Sequence, residues 1–240
     1  MLMEISIDQF KKEVDALDKK IKDDFKEKET PKRKLIEDGI VNLEEYYNSP
    51  IKIMWVLKEP YDDKENGGGG WSITKDLNDN RALGKKNDSP NTWHPIIYST
   101  YGILNNFLKI EKMPQIPNNT SMSLVLRKIA FINIQKLPAR PNTNDASLKK
   151  AYSNNKEINK KLLLKQISIY RPDIVIGGKT LHLLKDDLQI TNENELSFGH
   201  FTKEKKLFIN TFHPNQRKIS RADYVNKIIT RAEEWKSCYS

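Results

Sequence analysis

Four short runs of apolar residues, rich in β-branched side chains, recur along the chain between longer polar segments. The runs are residues 51–57, 129–134, 173–177 and 207–211. Because their hydrophobicity is nearly continuous, they are typical of strands that are buried on both faces of a parallel sheet. The pattern therefore predicts four parallel strands in one sheet.

Segments with helical periodicity separate or follow these runs. At the start of the chain, Ser6 and Gln9 have the spacing of a capping box. The apolar stripe of this first helix consists of Ile7, Phe10, Val14, Leu17, Ile21 and Phe25, at spacings of three and four. Further helices are expected over residues 95–108, 155–170, 179–184 and 220–235. Pro95 would suit the first turn of its helix.

The alternation of strands and helices predicts an α/β fold, a three-layer α/β/α sandwich around a four-stranded parallel sheet. We expect residues 1–45 to form an N-terminal helical extension packed on the main domain, and residues 46–240 to form the α/β domain. Three polar segments, residues 62–93, 110–123 and 137–147, are longer than ordinary connections. Two of them begin at the carboxyl ends of predicted strands, where open α/β sheets bind ligands.

Composition narrows the class of protein. The 240 residues include 41 basic and 32 acidic side chains, and the formal net charge of +9 attracts polyanions such as nucleic acid. No apolar run reaches the ~20 residues that span a bilayer, and the N-terminus lacks the apolar core of a signal peptide. The single cysteine, Cys238, excludes a disulfide framework and a cysteine-ligated zinc or iron–sulfur site. We expect a cytoplasmic monomer with no membrane contact, metal or other cofactor.

Residues able to carry chemistry follow three of the predicted strands. Glu59 lies just after the first strand, Asn133 near the end of the second, and His213 just after the fourth. Because the carboxyl ends of parallel strands meet at one edge of a sheet, we expect these side chains to line one pocket there. A carboxylate, a carboxamide and an imidazole can together read a planar heterocycle and assist a displacement reaction.

The motifs around these residues resemble those of the uracil-DNA glycosylase superfamily. The resembling motifs are Glu59-Pro60-Tyr61 after the first strand, Asn133 in the second, and His213-Pro214-Asn215 after the fourth. Residues 133–142 and 171–178 are also similar to blocks of the family's iron–sulfur branch. The resemblance extends over residues 51–236 in order and spacing.

The chain departs from the family's pattern in several places. Leu57 stands where glycine is usual, Glu59 where the family has Asp, Asn or Ala, and Asn215 where it has Ser. The four cluster cysteines of the iron–sulfur branch are absent, so the resemblance implies no iron–sulfur cofactor.

The resemblance implies a DNA glycosylase of base-excision repair. Such an enzyme flips a deaminated base, uracil foremost, out of single- or double-stranded DNA and hydrolyses its N-glycosidic bond. Glu59 and His213 are then the catalytic residues: Glu59 orients the attacking water, and His213 hydrogen-bonds O2 of the departing base.

The remaining site residues bind the base or the DNA backbone in this interpretation. Asn133 reads the base edge, and Pro60 lines the pocket. Tyr61 lies beside C5 of the base, and Trp71 stacks on the base face. Four basic residues are expected to bind the DNA, with contacts to flanking phosphates: Lys58, Lys136, Arg140 and Arg217.

Two other classes of function remain open at this point. The same fold with its basic face would serve as a catalytically inactive nucleic-acid-binding module. Alternatively, the N-terminal helix would recruit a protein partner. Two of the candidate site residues also have a purely structural alternative. Glu59 would form an ion pair with a lysine of its loop, and Trp71 would pack within its own loop.

Overall fold

The computed structural model describes residues 5–30, 33–60, 62, 68–79, 90–138, 156–184, 200–203 and 205–239. Six strands in these ranges form one sheet: β1 (Gly39–Ile40), β2 (Ile53–Leu57), β3 (Ile129–Asn133), β4 (Ile174–Gly178), β5 (His200–Lys203) and β6 (Lys206–Thr211). From edge to edge, their order is β1-β3-β2-β4-β6-β5.

The four central strands coincide with the four apolar runs and are parallel to one another. The α/β class and the parallel pairing of the first two runs are therefore confirmed. The prediction of a four-stranded, wholly parallel sheet is wrong, because β1 and β5 add antiparallel edges beside β3 and β6. With two residues in β1 and no apolar run in β5, neither edge strand carries a hydrophobic signal in the sequence.

Six α-helices pack around the sheet in the described ranges: α1 (Ile7–Lys26), α2 (Leu43–Tyr47), α3 (Ile73–Asn78), α4 (Pro90–Leu104), α5 (Lys156–Tyr170) and α6 (Arg221–Tyr239). Short 3₁₀ segments cover Ile110–Lys112, Ile116–Asn118, Thr120–Lys128 and Leu181–Leu184. Two of the expected irregular segments thus contain helical turns.

Alternate side chains of the central strands point to opposite faces and build two cores. In β2, Ile53, Trp55 and Leu57 pack in the first core, which α3, α4 and α6 cover. Met54 and Val56 pack in the second core, which α1, α2 and α5 cover. The sheet is thus the middle layer between two layers of helices, and its four parallel strands end at one edge.

The N-terminal segment is an integral part of this fold. The Gln9 N–H donates to Ser6 Oγ at 3.2 Å, so Ser6 caps α1 as expected. The helix buries five apolar residues in the second core: Phe10, Val14, Leu17, Ile21 and Phe25. Strand β1 also belongs to this segment, and the expected boundary after residue 45 lies within α2.

The boundaries of α4 and of the short helix after β4 differ from the expectation. Helix α4 begins at Pro90, and Pro95 lies inside it rather than in its first turn. Pro90 takes the initial position, where the missing N–H of a proline costs no hydrogen bond. The short helix expected over residues 179–184 is the 3₁₀ segment Leu181–Leu184.

Asp18 on α1 is half-buried against α5, where its Oδ1 accepts a hydrogen bond from the Tyr170 hydroxyl at 3.3 Å. Burial raises the pKa of Asp18 to about 6; the Tyr170 hydrogen bond opposes this rise, and the charge of Asp38 adds to it. A carboxyl group whose pKa is raised on folding stabilises the fold below its unfolded pKa. That contribution is lost as the pH rises through the folded value.

We therefore expect Asp18→Asn to raise the free energy of unfolding by about 1–3 kcal/mol near neutral pH and to change it little near pH 4. Urea titrations at both pH values measure the difference. Asp15→Asn, at an exposed position of the same helix, is the control. An equal effect of Asp18→Asn at both pH values would contradict the prediction.

Candidate functional site

The carboxyl ends of β2 and β3 lie side by side and start two loops of the candidate site. Leu57 and Asn133 are register partners. The pairing continues beyond the strands, since the Gln135 N–H donates to Lys58 O at 3.1 Å. Glu59 and Asn133 therefore leave the sheet from adjacent strands at the same edge.

Gly178, the last residue of β4, lets the segment after β6 approach the end of β2. A Cβ atom at this position would lie 2.5 Å from Leu57 Cδ2, 3.2 Å from Pro214 Cδ and 3.7 Å from His213 Cα. A side chain at this position would therefore require Leu57 and Pro214 to shift, whereas its contact with His213 would be an ordinary one. The glycine packs the turn that begins at His213 against the ends of β4 and β2.

His213 is neutral at physiological pH and carries its proton on Nε2. Burial, with a smaller effect of the positive charge of Lys58, lowers the pKa of His213 to about 4. The Asn215 N–H donates to His213 Nδ1 at 3.2 Å, so Nδ1 is the acceptor nitrogen. The proton of the neutral ring must then be on Nε2, which becomes a hydrogen-bond donor.

Asn133 is a buried amide whose side-chain nitrogen has no partner in the described part of the chain. The residue is 3% exposed, and its Nδ2 atom makes no hydrogen bond to any described residue. Strand alternation places the side chain on the same face as Phe131, whose ring centroid is 5.1 Å from that of Trp93. A buried donor without a partner costs about 1–3 kcal/mol, so this nitrogen points to a ligand with an acceptor oxygen.

Glu59 and Pro60 begin the loop after β2. Pro60 is buried, and Glu59 is half-buried with its Oε2 atom shielded from solvent. A shielded carboxylate interacts with a nearby positive charge more strongly than an exposed one, because the local dielectric is lower. Tyr61 and Arg140, which we expected to bind the base and the DNA backbone, lie outside the described residues.

The loop after β2 also fixes Trp71. Asp62 Oδ2 accepts hydrogen bonds from Trp71 Nε1 at 3.1 Å and from the Gly69 N–H at 2.6 Å. The indole is half-buried and packs against the first core, as the alternative of loop packing predicts. Asp62, which holds the indole, belongs to the same loop as Glu59. Stacking of Trp71 on a base stays a prediction.

Lys136 lies in the interior, and the prediction that it contacts a DNA phosphate is wrong. Its Nζ donates to Asp38 Oδ1 at 2.7 Å and to Asp38 Oδ2 at 2.8 Å. It also donates to Asn133 O and to Gln166 Oε1, both at 2.9 Å. The side chains of Lys136 and Asp38 are 3% and 1% exposed. The ammonium protons are used inside the fold, so the group cannot reach a phosphate.

Arg217 is exposed and borders a cavity of about 130 Å³ that Pro214 also lines. Arg221, Asn91 and Asn215 add a second guanidinium group and two amides to this cavity. The set offers several donors for an anion, as expected of a surface that binds a phosphate. Lys58 is half-buried and acts on His213, and its contact with DNA stays a prediction.

Sequence reasoning missed the buried partners of Lys136. Asp38 lies in a segment without a predicted strand, so nothing indicated that it approaches β3. Gln166 lies on the apolar side of the helix expected over residues 155–170. A polar residue at such a position is a signal of a buried hydrogen bond, and this signal was available in the sequence.

Comparison of the sequence with protein-family models and with curated proteins finds no match. No helix in the described ranges has the length and apolar character needed to cross a membrane. Among the same residues, no group of His, Cys, Asp and Glu is placed to hold a metal ion. The function must therefore be argued from the side chains at the carboxyl edge of the sheet.

Proposed function

We propose that this protein is a DNA glycosylase-like hydrolase that binds a flipped-out deaminated base at the carboxyl edge of its sheet and cleaves the N-glycosidic bond. The observation that carries the proposal is the buried Asn133 amide, whose Nδ2 lacks a partner among the described residues. The neutral imidazole of His213 and the shielded carboxylate of Glu59 support it. Base extrusion costs a few kcal/mol, which contacts at this edge would offset.

Asn133 matches the hydrogen-bonding edge of uracil. Its Nδ2 would donate to the O4 carbonyl, and its Oδ1 would accept from N3–H. Cytosine has an amino group in place of O4 and no proton on N3, so the same amide would face two mismatched groups. Hypoxanthine and xanthine carry a carbonyl beside an N–H in the same arrangement, and they are therefore candidate substrates beside uracil.

The chemistry proposed for this site is hydrolysis at C1′ of the deoxyribose. Water attacks C1′ while the bond to the base nitrogen breaks, and the electron pair of that bond leaves with the base. Glu59 would orient the water, accept its proton and stabilise the positive charge on the sugar. With uracil as the base, His213 Nε2–H would donate to O2 as that oxygen gains negative charge. With a pKa of about 4, the imidazole acts as a neutral donor and the base leaves as an anion.

The basic cavity beside His213 supports DNA as the partner. Arg217 and Arg221 line it together with the amide of Asn215. Guanidinium groups bind phosphate oxygens through paired hydrogen bonds, so this cavity suits a phosphate that flanks the flipped nucleotide. The net charge of +9 adds long-range attraction to the same polyanion.

Base release from oligonucleotides containing uracil, hypoxanthine or xanthine tests the proposal, in single-stranded and double-stranded form. We expect at least one of these bases to be released, with the abasic site detected by strand cleavage in alkali. DNA binding that weakens with salt but releases no base would overturn the proposal. It would support the alternative instead, an inactive nucleic-acid-binding module.

Replacing Asn133 by Ala is expected to lower the single-turnover rate by about 10- to 100-fold, because the base edge would lose its hydrogen-bond partner in a dry pocket. Asn118→Ala, at an exposed position of the 3₁₀ segment Ile116–Asn118, is the matched control and should leave the rate unchanged. An Asn133→Ala variant with full activity and unaltered base preference would show that this amide does not read the base.

A further inference from the structure

A buried network holds the main chain of Asn133 from both sides. The Asn133 N–H donates to Asp38 Oδ2 at 2.7 Å, and the Asn133 carbonyl oxygen accepts from Lys136 Nζ at 2.9 Å. Gln166 on α5 closes the network, because its Oε1 accepts from Lys136 Nζ at 2.9 Å and its Nε2 donates to Asp38 Oδ1 at 3.2 Å. Strand β3, helix α5 and the segment before β1 therefore meet at Asn133.

This network begins where the main-chain pairing of β3 with β1 ends. Within the strands, Gly39 pairs with Phe131 and Ile40 pairs with Ala130. Beyond these pairs, a carboxylate oxygen takes the place that a strand carbonyl would occupy beside Asn133. Hydrogen bonds to charged groups are shorter and stronger than those between neutral groups. The end of β3 is therefore held more firmly than an ordinary strand end.

Stability alone does not account for a lysine–carboxylate pair at this depth. Well-packed apolar residues in place of a buried ion pair are often equally stable or more stable. Burial lowers the pKa of Lys136 against the opposing effect of Asp38, which shows that charge is costly at this position. The network instead fixes one arrangement of these side chains and of the end of β3, because its donors and acceptors are satisfied together only in one geometry.

We infer that Asp38, Lys136 and Gln166 are positioning residues that set the orientation of the Asn133 amide and thereby the discrimination between bases. The inference rests on the proposed function. The side chains of Asp38 and Lys136 are buried and bonded to one another, so they act through Asn133 and not on the base. Without the network, Asn133 would shift and reject a wrong base less well, whereas Glu59 and His213 would still support bond cleavage.

The test uses variants that remove the network without leaving a lone buried charge. The double variant Asp38→Leu/Lys136→Met removes both charges. Lys136→Met alone would leave the Asp38 carboxylate buried without its positive partner, and we expect that variant to fold poorly. Gln166→Leu, which removes only the neutral member, is the second variant. Lys109→Met/Glu233→Leu removes an exposed ion pair of 2.9 Å and is the matched control.

Single-turnover rates are measured on oligonucleotides with uracil, hypoxanthine, xanthine or cytosine, after thermal melting has verified that each variant is folded. The readout is the ratio between the rates of the fastest and the next fastest base. Partial unfolding lowers all rates equally and leaves this ratio unchanged. We expect the double variant to lower the ratio by about 10-fold or more and Gln166→Leu to lower it by a smaller factor. The control should keep the wild-type ratio.

The outcomes separate this inference from the proposed function. A wild-type protein that releases no base overturns both. If the wild type discriminates and the folded double variant keeps the same ratio, the network is only structural, and the proposed function stands. If the double variant does not fold, Gln166→Leu decides, and an unchanged ratio in that variant overturns the inference.

Discussion

Replacing Glu59 by Gln is expected to slow single-turnover base release by about 10²- to 10⁴-fold, the largest effect we expect from any single substitution. Glutamine keeps the shape of the side chain but removes the negative charge. Without that charge, the site can neither accept a proton from the attacking water nor stabilise the cationic sugar. DNA binding should stay intact or improve, because a negative charge near the phosphates has been removed.

Two measurements on the Glu59→Gln variant separate chemistry from binding: the rate of base release under single-turnover conditions and the affinity for an uncleaved oligonucleotide. Glu44→Gln, at an exposed position of α2, removes an equal charge away from the carboxyl edge and is the control. Full activity of Glu59→Gln would mean that the carboxylate is a loop ion pair and that the proposed mechanism is wrong.

Replacing His213 by Leu is expected to lower the same rate by about 10²- to 10³-fold, the typical effect of losing one donor to a developing negative charge. His213→Gln, which keeps an N–H donor of similar reach, should lose less. His200→Leu, on the edge strand β5, is the control. Equal rates for His213→Leu and the wild type would show that the imidazole does not contact the leaving base.

The decrease of the free energy of unfolding in acid provides a second test of His213. Its pKa is lowered on folding from 6.5 to about 4, so the fold favours the neutral ring. This contribution to stability is fully present above pH 6.5 and is lost as the pH falls toward 4. Over that interval the wild type should lose roughly 3 kcal/mol relative to His213→Leu. A difference between the two proteins that is independent of pH would contradict the placement of the imidazole.

Much of the fold was predictable because burial on both faces leaves a local mark in the sequence. The runs that became β2, β3, β4 and β6 are continuously apolar, and the apolar stripe of α1 repeats with the helical period. The edge strands were missed for the same reason. β1 is too short for a period, and β5 exposes part of its surface, so neither has the composition of a buried strand.

The placement of three polar side chains at the ends of parallel strands was also predictable from the sequence. Glu59, Asn133 and His213 each follow or end a parallel strand, and parallel strands end at one edge of the sheet. The protonation state of His213 was not predictable, because it depends on burial and on the Asn215 N–H that occupies Nδ1. Burial depends on the tertiary fold, and the contact with Asn215, two residues further along the chain, depends on the conformation of the turn after β6.

Lys136 marks the limit of what the sequence determined by itself. A lysine in a polar loop just after a strand is typical of a solvent-exposed cation, and nothing near it in the chain suggests otherwise. Its partner, Asp38, is 98 residues away, and only the packing of β3 beside the segment before β1 brings the two together. Hydrophobic periodicity is a local property of the chain and was readable in advance. The pairing of two buried charges depends on which distant segments the fold places in contact, and the tertiary structure alone decided it.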